Sequence, residues 1–535
     1  MQRTRFLSVE EGFTLGPILP HSRLHWRKLA LIYASCMASI PVLLVGFWLA
    51  GNFPLVKIVL IVFISASVVL VLDFANSALG ADTGLPASIL ARNCFGKTLS
   101  KIVVAVPLIL VGWGWFTIQL AMAIKSLLVV FGAEKLLFGP NSTFILLLLS
   151  LSIGSLFAFT PITRKLARFG LTNISILFMS LFCLIILFIS IKNINFLGCN
   201  DLLFHPPTEN SNFPLSFGST VLVGLCASQF VMISDYSRFC RKIFPDSLFV
   251  PLLGVIPVQV TFCLISAILG LISQFQMDFF ANSVQAGVPR LAFILLFFSQ
   301  WNAARLVVIY SAGLAGASLI DNPGQKARWW MTLLSIFAGT LLVTFGIQDY
   351  FVHFLVIQAM IFPSIGVLLL SDHFLVKRRN CKIIERTNKK ALFSLIIGWA
   401  SGIMIFIYFP DCYAYLGSAL IALVLYLLLN LPLKEHSNDS NDTKFFVYKK
   451  FFKKLGKKMQ SLFLILGLLG LIGGCFSPLI FPTPFGDLMV LVSILMLAIS
   501  AICYFSQTIG LAIENSEIEP NQMAGVRENR KDKLL

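Results

Sequence analysis

The sequence predicts an all-α polytopic membrane protein of about fourteen spans, on three observations. Its 535 residues are 57% apolar and 12% charged, with a mean hydropathy of +0.88. That charge content is about half the ~25% of ordinary globular chains, so soluble enzymes, disordered chains and disulfide-rich secreted domains are set aside. Fourteen stretches supply the ~20 consecutive apolar residues that a bilayer-crossing helix needs, and none alternates with the period of two that marks a membrane β-barrel. The third observation is where the bases fall. Of 41 lysines and arginines, 35 lie before the first span, in even-numbered loops or after the last span. This is a strong positive-inside bias, with both termini on the cytoplasmic side of a plasma (inner) membrane. The net charge of +17 is therefore mainly topology, and nucleic acid as a partner loses its support.

In chain order, the spans fall near 29–50, 55–78, 102–131, 142–160, 169–191, 214–236, 247–273, 291–320, 329–347, 351–376, 391–409, 412–432, 460–481 and 486–510. Residues 1–28 read as a cytoplasmic tail. No leader is expected there, because a full-length apolar run follows without a small-residue cleavage site. Span 1 contains Ser35, Ser39, Pro41 and Gly46, and span 6 contains Gly218, Gly224, Cys226, Ser228 and Gln229. Proline removes a helix hydrogen bond and glycine loosens the backbone. In a bilayer such a break is tolerated only against protein or a water-filled cavity. Breaks at Ser39–Pro41 and around Gly224–Ser228, five spans apart, point to an inverted-repeat transporter. The same small residues also suit close helix packing.

Span 3 reads Val111-Gly-Trp-Gly-Trp115-Phe-Thr-Ile-Gln119, with Trp115 and Gln119 one turn apart on a single face. Such a pair suits a flat heterocycle, stacked on the indole and hydrogen-bonded at its edge. It equally suits a packing tryptophan with an interhelical amide bond. Span 8 ends its first half in Ser299-Gln300-Trp-Asn-Ala303-Ala304-Arg305. A charge at a helix centre costs ~2.5–3.5 kcal/mol even on lenient scales, so Arg305 needs a reason to be there. The only acid well inside another span is Asp73, which makes an Arg305–Asp73 pair the first candidate and snorkelling of Arg305 the alternative. Eleven cysteines show no CxxC pairing, so no metal site or cofactor is expected. No phosphate loop or catalytic triad occurs and the loops are too short for an ATPase domain. Secondary transport or a channel is left, and not an enzyme.

Residues 433–459 form a long basic linker whose second half, Lys444 to Lys454, has the look of an amphipathic stretch on an anionic leaflet. The linker separates spans 1–12 from a two-helix hairpin at 460–510 and a cytoplasmic tail at 511–535.

The loop Gly80-Ala-Asp-Thr-Gly-Leu-Pro-Ala-Ser-Ile-Leu-Ala-Arg92-Asn-Cys-Phe-Gly96 resembles the same loop in the nucleobase–cation symporter-1 family of cytosine/purine permeases and hydantoin transporters. The likeness extends through Gly112–Met122, Asp235–Phe239, Tyr310–Leu314 and Pro363–Lys377, across about residues 28–432. It implies a LeuT-type fold. Ten core helices at 29–376 would form two inverted five-helix repeats, with peripheral helices 11 and 12 at 377–432. It also implies import of a heterocycle such as cytosine or a purine by alternating access. By this resemblance Trp115 is the stacking tryptophan, Gln119 a hydrogen-bonding amide, Gly224–Ser228 the unwound part of helix 6, and Gln300 the helix-8 amide. Cys226 stands where the family often has an aromatic. Sodium-coupled relatives place hydroxyl ligands where this chain has Ala303 and Ala304. Weak or absent sodium dependence is therefore expected, with H+ as the alternative coupling ion and Arg305 as a built-in cation. A transporter of another small solute (a vitamin, allantoin, a hydantoin or an amino acid) and a non-transporting membrane sensor are the other readings.

Overall fold

The structure is a computed structural model that describes residues 15–18, 22–137, 142–159, 171–193, 213–272, 279–285, 287–304, 311–321, 325–377 and 387–430. The chain divides into one unit of Met1–Arg241 with Asp246–Leu431, and a second of Lys242–Pro245 with Pro432–Leu535. The basic linker, the hairpin at 460–510, the tail at 511–535, residues 1–14 and 19–21 of the N-terminal tail, and Arg305 lie outside the described residues, and with Arg305 so does its pairing with Asp73.

The first unit is helical throughout its described residues. Helices α1 (Trp26–Met37) and α2 (Ile40–Asn52) together occupy the first apolar stretch and bend by 56° at their junction. The sequence explains the bend. Pro41 stands in the first turn of α2, where its missing N–H is harmless, but an unbroken helix from α1 would need that donor. Ser39 takes an extended backbone conformation as the N-cap of α2. Helix α3 (Leu55–Thr83) follows and ends at Gly84 in the left-handed conformation. Helix α4 (Ala87–Phe95) and the short α5 (Lys97–Ser100) fill the loop after it, and a π-turn at Lys101–Ala105 leads into α6 (Val106–Phe131). The wide turn ends just before Pro107, where one backbone donor is missing.

Next come α7 (Ser142–Phe159), α8 (Leu171–Asn193), α9 (Leu215–Ala227) and α10 (Gln229–Ser237). The α9/α10 junction is one residue, Ser228, and the pair still counts as a single span. Span 6 is thus interrupted far more gently than span 1, since it holds no proline to block continuation. Helices α11 (Asp246–Gly254) and α12 (Ile256–Ile272) fill the seventh stretch, α13 (Phe279–Gln285) is short, and α14 (Phe293–Ala304) and α15 (Gly313–Ile320) share the eighth. The set closes with α16 (Gln325–Thr344), α17 (Phe351–Leu370), α18 (Lys389–Tyr408) and α19 (Ala414–Asn430). Among the described residues, six helices or joined helices are individually long and apolar enough to cross a bilayer, and α1–α2 makes a seventh if it is one span.

Burial separates centre from rim. The apolar window of α9–α10 is 89% buried and that of α6 is 72%, against 33% for α18. A helix apolar all round and buried belongs to a membrane-protein core. The rim instead exposes large apolar side chains such as Phe63, Phe188, Phe345 and Leu428, a surface suited to lipid and not to water.

Close contacts are made where side chains vanish. A Cβ on Gly224 would stand 2.1 Å from the carbonyl oxygen of Leu355, so glycine is what lets α9 lie against α17. On the other side α9 and α10 pack on α3, α2 packs on α12, α6 on α14, and α7 on α16.

Candidate functional site

Two helix junctions face one cavity. The α1/α2 break contributes Met37, Ser39 and Pro41, the α9/α10 junction contributes Leu225, Ser228, Gln229 and Met232, and α6 closes the space with Trp115 and Gln119. The cavity measures about 50 Å³, smaller than the ~150 Å³ of an engineered cavity that takes up benzene. The α1/α2 break turns the N-terminus of α2, the positive end of its dipole, to this space.

Trp115 is 7% exposed and is held from two sides. Its Nε1–H donates to Gln358 Oε1 at 3.2 Å. The ring of Phe354 meets it edge-on at 5.3 Å between centroids. Both partners come from α17, so the indole is pinned before any ligand arrives. Gln119, one turn along α6, is buried, and its Oε1 has no hydrogen-bond partner among the described residues. The same is true of Gln229 Oε1, Gln300 Oε1 and Gln358 Nε2. A buried polar atom left unpaired costs ~1–3 kcal/mol, and of these four amides Gln119 and Gln229 line the cavity.

The other residues of interest are distributed around this cavity. Gly224 is a packing contact with Leu355 and lies beside the space. Cys226 is fully buried and is not among the cavity's lining residues. It is close enough to Asp73 and Cys263 to interact with both. Gln300 is buried on α14, where its Nε2 donates to Ser299 Oγ at 3.1 Å. Ala303 and Ala304 are fully buried, and Ala304 packs in the apolar cluster of Phe116, Leu120 and Ile124. Asp73 is fully buried on α3, with neither carboxylate oxygen partnered among the described residues.

The sequence analysis did not single out Gln229, Met232 or Gln358 as site residues. Gln358 carried a signal: a lone amide in the apolar run of span 10 must face something polar, by the reasoning that picked out Gln119.

At the end of the bundle that carries the 80–101 loop, four acids are paired, while Ser88 Oγ, Arg92 Nε and Asn93 Oδ1 have no hydrogen-bond partner among the described residues. Asp235 Oδ1 accepts from the Ala87 backbone N–H at 2.8 Å, so the end of α10 caps the start of α4. Arg23 donates to the Ala81 and Cys240 carbonyls at 3.0 and 3.3 Å. His373 and Asp82 meet at 2.9 Å. Asp372 takes Lys377 at 2.7 Å and the Tyr426 hydroxyl at 2.6 Å. Asp321, just past α15, receives Lys101 at 2.6 Å and Arg92 at 2.7 Å. Lys101 foremost, with Arg92, holds the Asp321 carboxyl down at about 2.

Residues 19–413 match the family model described as permease for cytosine/purines, uracil, thiamine and allantoin. The solved structure of Mhp1, a nucleobase-cation-symport-1 family transporter, in a closed conformation with bromovinylhydantoin bound, aligns at a TM-score of 0.63 and 16% identity. It covers 79% of this chain and 94% of its own. The inward-facing conformation of Mhp1 aligns at a TM-score of 0.65 and 15% identity, covering 79% and 93%. No protein with a curated description matches. The family match spans most of the chain, and the fold is that of Mhp1. The chain is thus a multi-pass membrane protein belonging to the nucleobase–cation symporter-1 family, whose members are transporters and not enzymes.

Proposed function

We propose that this protein imports a nucleobase-like heterocycle, such as cytosine or a purine, by alternating access across the plasma membrane, driven by protons with little or no sodium dependence. The observation that carries the reading is the cavity between the α1/α2 and α9/α10 junctions, with Trp115 and Gln119 on its wall. Base stacking on an aromatic is worth ~1–3 kcal/mol, and the edge of a heterocycle offers both donors and acceptors to Gln119, Gln229 and Ser228. A flat ring with a hydrogen-bonding rim answers both kinds of lining at once.

Within this reading, spans 1–10 (residues 29–376) form two inverted five-helix repeats. Spans 11 and 12 (377–432) are peripheral, and the linker 433–459, hairpin 460–510 and tail 511–535 are additions. The packing supports the repeat. Span 1 packs on span 7 as span 6 packs on span 2, which is the same contact after exchange of the halves. The pairs 3–8 and 4–9 also pack, and that exchange maps each onto itself. Both termini are cytoplasmic, because the bases gather on that side. Weak sodium dependence follows from Ala303 and Ala304, which offer no side-chain oxygen to a hard cation that prefers oxygen ligands.

Uptake of radiolabelled cytosine, purines, uracil, allantoin and hydantoins into cells expressing the chain tests the proposal, in sodium and in choline buffer. Saturable uptake of one of them, with a raised half-saturation concentration in Trp115→Ala and unchanged in choline, is the expected result. Binding without uptake would point to a sensor instead, and strong sodium dependence would overturn the proton assignment.

A further inference from the structure

Asp73 is the group this picture leaves unexplained. It lies in the inner half of α3, fully buried, and both carboxylate oxygens lack a hydrogen-bond partner among the described residues. An ionised carboxylate in such a place is uncompensated, at a cost of several kcal/mol. No base acts on it among the described residues. Around it stand other polar groups in the same unpaired state. Asn76 Oδ1 and Ser77 Oγ are one turn along the same face of α3, and the Tyr33 hydroxyl comes from α1.

The chemistry of this set suits two charge states of one acid. Once protonated, the carboxyl gains a donor, and Asn76 Oδ1 is an acceptor waiting for one. When ionised, the carboxylate needs donors, and the hydroxyls of Ser77, one turn along α3, and of Tyr33, within electrostatic range, are unpaired.

The place matters as much as the chemistry. Tyr33 is one turn before Met37, which lines the cavity at the α1/α2 break, and Cys226 is two residues before Ser228 at the α9/α10 junction. Both Tyr33 and Cys226 are close enough to feel the charge of Asp73. A change of charge there acts on both interrupted helices.

The geometry points to Asp73 as the proton-binding site that couples the proton gradient to substrate movement. The carboxylate takes up one proton on the outer side and releases it on the inner side in each cycle. This rests on the transporter reading above and adds to it the residue that carries the ion. The other titratable groups facing this region are Tyr33 and Cys36 on α1, Cys226 on α9, Asp235 and Tyr236 on α10, and Cys263 on α12 behind Cys226. Asp246 stands at the first residue of α11 and His353 in the first turn of α17. Arg238, at the end of α10, acts on Asp235.

The test uses the full chain in lipid vesicles. In the wild type, an inward proton gradient drives accumulation of the transported heterocycle. Asp73→Asn should abolish accumulation while keeping heterocycle counterflow exchange, and Asp73→Glu should restore accumulation. Infrared difference spectra between acid and neutral pH, without substrate, should show a protonated-carboxyl stretch that is absent in Asp73→Asn. Gradient-driven accumulation by Asp73→Asn, or a carboxyl band unchanged by that substitution, overturns the proposal. If the wild type carries none of the heterocycles, the substrate reading fails, and the infrared band alone decides Asp73.

Discussion

The amides around the cavity and the acids at the 80–101 end of the bundle handle polarity in opposite ways. Around the cavity, Gln119, Gln229 and Gln358 each keep one amide atom unpaired inside the protein. At the loop end, Asp82, Asp235, Asp321 and Asp372 each have a partner, and the pairs join the ends of spans 2, 6, 8, 10 and 12. Satisfied pairs stabilise one arrangement, whereas unsatisfied groups favour whatever ligand completes them. On the proposed function, the contrast separates the part of the molecule that holds helices in place from the part that would receive a substrate.

Substitutions should break the two regions differently. The largest effect is expected at Asp235. Asp235→Ala removes the cap on α4 and leaves the fully buried Arg238 without its counter-charge. Losing one member of a buried pair costs ~3–5 kcal/mol, so folded yield and thermal stability in detergent should fall sharply. Trp115→Ala also removes a buried aromatic, at a cost of ~3–5 kcal/mol in stability, but in the protein that folds it should raise the half-saturation concentration for uptake as well. The ~1–3 kcal/mol of a base–aromatic stack corresponds to roughly 5- to 150-fold. A half-saturation concentration unchanged in folded Trp115→Ala would erase the distinction between the regions.

Gln358→Leu sharpens it from the cavity side. It removes the acceptor of the Trp115 indole N–H and nothing on the 80–101 end, and a hydrogen bond is worth about 1 kcal/mol. About a five-fold weaker uptake affinity is expected, with the fluorescence of Trp115 altered before substrate is added. The smallest effect belongs to Asp321→Asn. The Asp321 carboxyl is depressed in the folded protein, so its stabilisation is full above its ordinary value near ~3.9 and is lost as pH falls through about 2. Exposed ion pairs contribute up to ~1 kcal/mol. Unfolding scans of wild type and variant should therefore differ slightly and evenly from pH 5 to 8, and converge in strong acid.

Much of the fold was legible because lipid imposes a simple requirement: long apolar runs for spans and bases for one side. The twelve stretches from 29 to 432 coincide with helices wherever they are described. The strength of each helix break was less legible. Pro41 announces a covalent obstacle, and a 56° bend follows. Span 6 offers only glycine and serine, which permit a break without requiring one, and the helix pauses for a single residue. The cavity wall was read on α6, where Trp115 and Gln119 stand a turn apart. The face of a helix on which Gly224, Cys226 or Gln300 would lie could not be read, because that depends on which neighbour packs against it. Gly224 meets Leu355 of α17 and Cys226 faces α3, contacts set by residues far away in the chain.

The size of the cavity has a consequence for affinity. A space of about 50 Å³ is smaller than one that takes up benzene, so on the proposed function a heterocycle would bind only to those members of the ensemble in which the junctions have drawn apart. The observed dissociation constant is then the intrinsic one divided by the fraction of wider molecules. Trimming the wall at Met232 to alanine would enlarge that fraction and tighten binding while removing contact area. The transported ring, by the same linkage, is an effector of its own gate.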